Sequence, residues 1–116
     1  MVNEEEDGSQ EYWVHEFEQC PPISSYIYNM CAGQFEVIEN ENKNAVVPMR
    51  IFLRNSKKDN IDGQELFRVI NEGIQFYEKY TGVKYPWQKY DQIFCPEFRI
   101  GAMENVGAIT FTDNYL

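Results

Sequence analysis

The spacing of apolar residues predicts one clear helix near the middle of the chain. Between residues 62 and 80, apolar side chains recur every three or four positions, which is the spacing of one helix face. Asp59, Asn60 or Asp62 can cap the start of this helix. Gly82 stands where a C-terminal cap belongs, so the helix is expected to end just before it.

Strand patterns lie on both sides of the helix, as alternating bulky and polar residues or as clusters of β-branched and aromatic residues. The segments with these patterns are 12–18, 23–38, 45–53, 90–95 and 106–111. Gly33 is expected to mark a bulge or bend, and Pro48 an edge or bulge, because proline cannot donate to a strand ladder. The polar, asparagine-rich residues 39–44 predict a turn or a linker between domains.

The final strand candidate, 106–111, is followed by very little chain. A strand needs neighbours to satisfy its backbone groups, and nothing after Leu116 covers this one. We therefore expect an exposed edge here and a chain that is a truncated piece of a longer protein. Whether this strand pairs with a second chain, and hence the oligomeric state, stays unknown from the sequence.

The composition allows a folded core and argues against two classes of partner. The chain has 116 residues, of which 43% are hydrophobic and 16% aromatic, enough to bury a core. Its net charge is -9, and it lacks the clustered lysine and arginine that phosphate binding needs, so neither nucleic acid nor an anionic membrane is an expected partner. An acidic site that attracts a cationic amine is a weaker possibility.

The N-terminus and the cysteines favour a cytoplasmic location. Residues 1–10 are acidic and polar, without the basic start and apolar stretch of a secretory signal. Residues 1–11 predict a disordered acidic leader, with a partner-binding tail as the alternative. The three cysteines, Cys20, Cys31 and Cys95, cannot all pair within the chain, which suits reduced thiols.

The chain offers little for a metal or a nucleophile. His15 is its one histidine, no H-E-x-x-H motif is present, and no two cysteines form a C-x-x-C pair, so we expect no bound metal. His15 is better explained as a structural hydrogen-bonding residue. A Cys95–His15 pair could form only if the fold brought the two together. Cys95 is better explained as a small buried apolar side chain.

The segment Gly101-Ala102-Met103-Glu104-Asn105 is the strongest candidate for chemistry. Gly101 and Ala102 are small, so another backbone can approach them and pair as an added strand. Glu104 can bind a cationic amine through a charge-assisted hydrogen bond, and Asn105 can hold the loop with its amide. The alternative is a surface turn with one solvated glutamate.

This pentapeptide resembles the G-A-M-E-N exopeptidase motif of the aminopeptidase N family of zinc metallopeptidases. Three further blocks are similar to that family: HEFEQCPPISSY at 15–26, YPWQKYDQI at 85–93 and PEF at 96–98. The resemblance covers about residues 12–116. Cys20 and Ser25 depart from it, since family members usually have threonine at the first position and often at the second.

The resemblance implies an α+β fold divided between two incomplete domains. Residues 12–40 correspond to the C-terminal strands of an N-terminal β-domain, after the leader at 1–11. Residues 41–116 correspond to the start of a thermolysin-like peptidase domain, with its mixed sheet and first helix. The boundary is expected near residues 39–44.

The resemblance also implies roles for the motif. Glu104 would bind the free α-amine of a peptide substrate, Gly101 and Ala102 would run alongside its backbone, and Met103 would shape the pocket for its first side chain. The family's zinc ligands and catalytic residues lie downstream of the motif, so this chain is expected to hold no zinc and no catalytic residue, and to be inactive alone. The alternatives are a non-catalytic module that binds peptide N-termini or docks on a partner, and an unstable remnant without function.

Overall fold

The computed structural model describes residues 2–7 and 10–116, which form two sheets, one α-helix and three short 3-10 turns. Strands β1 (Val2–Asp7) and β2 (Gln10–His15) pair as an antiparallel hairpin. This hairpin stands where the sequence predicts a disordered leader. The difference arises because backbone pairing satisfies N–H and C=O groups whatever the charge of the side chains. Within the leader, Met1, Gly8 and Ser9 lie outside the described residues.

The second sheet has five strands and carries the motif. Its strands are β3 (Glu36–Glu39), β4 (Met49–Leu53), β5 (Tyr90–Cys95), β6 (Ala102–Met103) and β7 (Ala108–Thr112). Their order is β3-β4-β5-β7-β6. The pairs β4–β5 and β5–β7 are parallel, whereas β3–β4 and β6–β7 are antiparallel. The predicted α+β class with a mixed sheet is confirmed, and its assignment to a thermolysin-like domain stays a prediction.

The prediction that the last strand is an exposed edge is wrong. Strand β7 lies between β5 and β6 and is paired on both sides. The chain reverses just before it, at Gly107, whose φ of 62° is in the left-handed region that glycine adopts easily. This reversal lays Ala102 and Met103 along β7, opposite Phe111 and Thr110. The edge of the sheet is therefore β6, a strand that the sequence pattern does not predict.

The long strand predicted over 23–38 is also wrong for most of its length. A 3-10 turn spans Ser25–Ile27, the backbone is irregular after it, and only Glu36–Glu39 is strand. Gly33 lies outside any strand, so it marks no bulge. Several large apolar residues of this segment are exposed, most of all Tyr26, Tyr28 and Met30. The composition indicated a strand here, but residues 23–35 pair with no strand of the described sheets.

The helix prediction is confirmed: α1 spans Gly63–Thr81. The Asp62 side chain accepts a hydrogen bond from the Glu65 backbone N–H at 3.0 Å, and Gly82 ends the helix in the left-handed conformation. The helix packs on one face of the sheet, and the buried core between them is formed by Met49, Ile51, Leu53, Phe67 and Phe94. Elsewhere on β7, the Thr110 side chain contacts Asn29 of the segment before β3 and Asn105 of the motif.

Strand β4 begins later than predicted, because residues 43–44 form a turn and residues 45–47 a bend before Pro48. The residues between β3 and β4 connect two paired strands of one sheet. The boundary predicted near 39–44 therefore falls inside a hairpin connection. The division of the chain into two domains stays a prediction.

Candidate functional site

The motif residues form the open edge of the five-stranded sheet. The Gly101 carbonyl accepts a hydrogen bond from the Thr112 N–H at 3.0 Å, which starts the pairing of β6 with β7. No strand in the described part of the chain pairs with the other side of β6. Ala102 is exposed and Met103 half-buried. A short run of backbone is thus open to an extended chain at this edge.

Glu104 follows β6 directly and is exposed. Its Oε1 accepts a hydrogen bond from the Tyr26 hydroxyl at 3.3 Å. Among the described residues, no lysine or arginine forms an ion pair with this carboxylate. Glu104 can therefore accept further hydrogen bonds from a cation that reaches the edge of the sheet.

Asn105 holds the turn with both ends of its amide. Its Nδ2 donates to the Ile27 carbonyl at 3.3 Å, and its Oδ1 accepts from the Thr110 hydroxyl at 2.7 Å. Its backbone N–H donates to the Met103 carbonyl at 2.9 Å. Because Asn105 is only 7% exposed, these bonds replace water and fix the residue that follows Glu104.

The segment before β3 takes part in the site, which the sequence did not indicate. Asn29 Nδ2 donates to Thr110 Oγ1 at 3.1 Å and lies 3.4 Å from the Ala108 carbonyl, and the Val106 N–H donates to the Ile27 carbonyl at 3.3 Å. These contacts join residues 78 to 81 positions apart, so no local spacing could reveal them. In the sequence, Tyr26 is the last residue of the block 15–26 that resembles the family, and no contact with Glu104 was predicted for it.

The two glycines of the motif region have different roles. A Cβ on Gly107 would lie 3.3 Å from the Lys89 carbonyl oxygen, so this position needs glycine for both space and conformation. A Cβ on Gly101 would overlap the Tyr115 hydroxyl. The space beside Gly101, which the sequence assigned to a substrate backbone, thus lies next to an exposed tyrosine ring.

Two buried carboxylates near the site are already paired. Asp91 lies 2.7 Å from Arg50 Nη2 and also contacts Lys89, and Asp113 forms an ion pair with Arg54. Arg50 donates its hydrogen bonds to Asp91, and this contact raises the pKa of the Arg50 guanidinium. Neither carboxylate is free to bind a ligand cation, whereas Glu104 is exposed.

The remaining candidates do not form a reactive centre. Burial, together with the neighbouring Cys31 and Asp113, raises the pKa of the Cys95 thiol to about 11. Such a thiol is a poor nucleophile, and its sulfur neighbour is Cys31 rather than an imidazole. His15 is exposed at the end of β2.

The described residues contain no group of side chains that could bind zinc. No three side chains of His, Cys, Asp or Glu come together there in a way that could hold a metal ion. The residues present therefore do not fit a zinc site, and no step at this site is assigned to a metal. No helix of the described part is long and apolar enough to span a bilayer.

Comparison with known proteins gives a consistent set of relatives. Residues 65–116 match the Peptidase family M1 domain. Aminopeptidase N of Streptomyces lividans is 38% identical over 105 residues, which cover 89% of this chain and 12% of the relative. Leucyl aminopeptidase of Saccharolobus solfataricus is 34% identical over 116 residues, which cover all of this chain and 14% of the relative. Aminopeptidase N of Canis lupus familiaris is 35% identical over 103 residues, covering 89% of this chain and 10% of the relative.

Proposed function

Because this chain belongs to peptidase family M1, we propose that it is the substrate-gripping part of a zinc-dependent aminopeptidase that removes N-terminal residues from peptides. The relatives are named aminopeptidases, which supports a peptide with a free N-terminus as the ligand. The chain spans between 10% and 14% of these three relatives, so the activity of a whole enzyme is part of the proposal.

One observation carries the proposal: an exposed glutamate directly follows β6, an edge strand whose outer side pairs with no strand of the described residues. A peptide that adds to the open side of β6 would lie about 4.8 Å from it, in the ordinary spacing of paired strands. In that position the first residue of the peptide reaches Glu104, which directly follows the strand. The ammonium group then donates a charge-assisted hydrogen bond to the carboxylate.

This arrangement would bind a free N-terminal amine more tightly than an acetylated one. An acetylated N-terminus carries no charge and offers only an amide N–H, so it loses the ionic part of the contact. Hydrogen bonds to charged groups contribute about 1.5–3 kcal/mol, which corresponds to roughly a tenfold to a hundredfold difference in affinity. Glu104 would thus favour peptides with a free N-terminus over blocked ones.

We propose that the 116-residue chain binds such peptides without hydrolysing them. In zinc-dependent peptidases the metal activates a water molecule and polarises the scissile carbonyl. The described residues offer no donor set for that metal. Binding an amine without stabilising a transition state does not accelerate hydrolysis.

Binding of a matched pair of peptides to the purified chain tests the proposal. Calorimetry would compare an alanine-initiated peptide with its acetylated form, using wild type, Glu104→Gln and Glu41→Gln. Glu41 is an exposed glutamate outside the motif, so its replacement removes the same charge at another place. We expect wild type and Glu41→Gln to prefer the free amine at least about tenfold, and Glu104→Gln to lose the preference.

Two outcomes would contradict this function. Equal affinity of wild type for the free and acetylated peptides would remove the amine-recognition role. Zinc-dependent release of a fluorogenic aminoacyl group by the purified chain would refute the claim that it is inactive alone.

A further inference from the structure

A closed set of hydrogen bonds connects the segment before β3 with the turn that carries Glu104. Asn29 Nδ2 donates to Thr110 Oγ1 at 3.1 Å, and the Thr110 hydroxyl donates to Asn105 Oδ1 at 2.7 Å. Asn105 Nδ2 then donates to the Ile27 carbonyl at 3.3 Å, which returns to the segment where the set began. The turn is therefore held from outside its own strand pair.

The chemistry of the donors allows only one direction through this set. The Asn29 amide nitrogen can only donate, so the Thr110 oxygen accepts from it and has one proton left to give. That proton goes to Asn105 Oδ1, so the NH₂ of Asn105 must point the other way, at Ile27. Each of the three side chains thereby determines the orientation of the next one.

Burial makes this orientation strict. Thr110 is 5% exposed and Asn105 is 7% exposed, so water does not substitute for a missing partner without cost. Asn105 directly follows Glu104, and its fixed amide therefore fixes the backbone from which the glutamate side chain projects. The Val106 N–H, bonded to the Ile27 carbonyl at 3.3 Å, secures the other side of Asn105.

The same segment also reaches the carboxylate itself. The Tyr26 hydroxyl donates a hydrogen bond to Glu104 Oε1 at 3.3 Å. Segment 26–29 thus contacts Glu104 at its side chain and, through Asn105, at its backbone. Loosening the segment would leave the carboxylate present and charged but free to point in several directions.

We propose that Thr110 and Asn29 are positioning residues for Glu104, acting through Asn105. The inference rests on the proposed recognition of a peptide amine by Glu104. Neither residue reaches the ligand, so their effect is on how well the carboxylate is aimed. They extend the specificity apparatus beyond the motif to a segment that is distant in the chain.

Two variants of Thr110 separate the hydroxyl from the shape of the side chain. Thr110→Val keeps the volume but removes the hydroxyl, which leaves Asn105 Oδ1 and the Asn29 amide without their partner. Thr110→Ser keeps the hydroxyl. Calorimetry with the free and acetylated peptides would give the affinity ratio for each variant. We expect the ratio to fall about tenfold in Thr110→Val and to change less than about twofold in Thr110→Ser.

A second variant covers the case in which Thr110→Val does not fold. Asn29→Asp is almost the same shape but cannot donate to Thr110, and Asn29 is only half-buried. It is expected to lower the affinity ratio in the same way. Unchanged ratios in Thr110→Val and Asn29→Asp, in a wild-type chain that discriminates between the peptides, would overturn the inference.

Hydrogen exchange at the Val106 amide tests the positioning without a ligand. Two-dimensional NMR should show faster exchange of this N–H in Thr110→Val than in Thr110→Ser, because its bond to Ile27 depends on the same set. If wild type binds both peptides equally, the proposed function fails while faster exchange still supports the positioning of the turn. Equal exchange in the two variants would overturn the positioning role itself.

Discussion

Replacing Gly107 by alanine should destabilise the chain more than the same replacement at Gly82. Both residues have a positive φ, 62° at Gly107 and 72° at Gly82, so both substitutions place a Cβ in the left-handed region. They differ in their surroundings. A Cβ at Gly82 meets nothing within 4 Å, whereas one at Gly107 would lie 3.3 Å from the Lys89 carbonyl oxygen. The pair therefore separates backbone strain from steric contact.

The expected magnitudes follow from these two contributions. The left-handed conformation costs a residue with a Cβ about 1–2 kcal/mol, which applies to both positions. At Gly107 the backbone cannot shift easily, because its carbonyl accepts a hydrogen bond from the Asp91 N–H at 3.0 Å. The close contact adds about 1 kcal/mol there. We expect a loss of about 1–2 kcal/mol for Gly82→Ala and about 2–3 kcal/mol for Gly107→Ala.

Gly73→Ala provides a control with the opposite sign. Gly73 lies inside α1 with a helical φ, and a Cβ there meets nothing within 4 Å. Alanine should therefore stabilise the chain by about 1 kcal/mol through its higher helix propensity. Measuring all three variants by the same method shows whether the alanine itself, the strain or the contact causes each change.

Urea denaturation followed by circular dichroism would measure the free energy of unfolding of the three variants and wild type. The order expected, from most to least stable, is Gly73→Ala, wild type, Gly82→Ala, Gly107→Ala. Equal losses at Gly82 and Gly107 would refute the argument from the Lys89 contact. A gain at Gly107 would show that the turn before β7 does not have the reversed geometry described above.

Two further predictions concern the core and the thiols. Phe67→Ala should lower the free energy of unfolding by about 3–5 kcal/mol, because Phe67 is 1% exposed in the core between α1 and the sheet. A loss below about 1 kcal/mol in urea denaturation would contradict that packing. Burial raises the pKa of Cys95 to about 11, so Cys95 should react with iodoacetamide at pH 8 far more slowly than the exposed Cys20; equal labelling of both cysteines in the folded chain, measured by mass spectrometry, would contradict this. The free energy of unfolding should also fall from about pH 9 to pH 11, because only the unfolded state gives up the Cys95 proton over that range.

Local patterns predicted the elements that local interactions determine. The helix α1 shows its three- and four-residue period, its Asp62 cap and its Gly82 end in consecutive residues, and the structure has all three. Strand β5 has the limits that the sequence predicted, Tyr90–Cys95. For both elements the residues that decide the structure lie inside or next to it.

The predictions failed where a distant partner decides the structure. The segment 23–38 has the composition of a strand, but its residues 26–29 contact the turn and β7 instead, with the Ile27 carbonyl and the Asn29 amide as their polar groups. Neither the bond from Asn29 to Thr110 nor that from Asn105 to Ile27 leaves a trace in local spacing. Glu104 and the loop-holding amide of Asn105 could be named from the motif, whereas the partners of Asn105 could not.

The sequence pattern missed strand β6 and wrongly placed β7 at the edge of the sheet. Both errors concern which strand is open to an added peptide. The sequence pattern indicated a final strand at the edge of the sheet, which placed the open backbone at 106–111. The reversal at Gly107 moves that open edge to Ala102 and Met103, next to Glu104. The carboxylate that follows the strand at 106–111 is Asp113, which is buried and already paired with Arg54. At β6 the pairing edge and the amine acceptor are consecutive in the chain, so a single turn, held by Asn105, sets the distance between them.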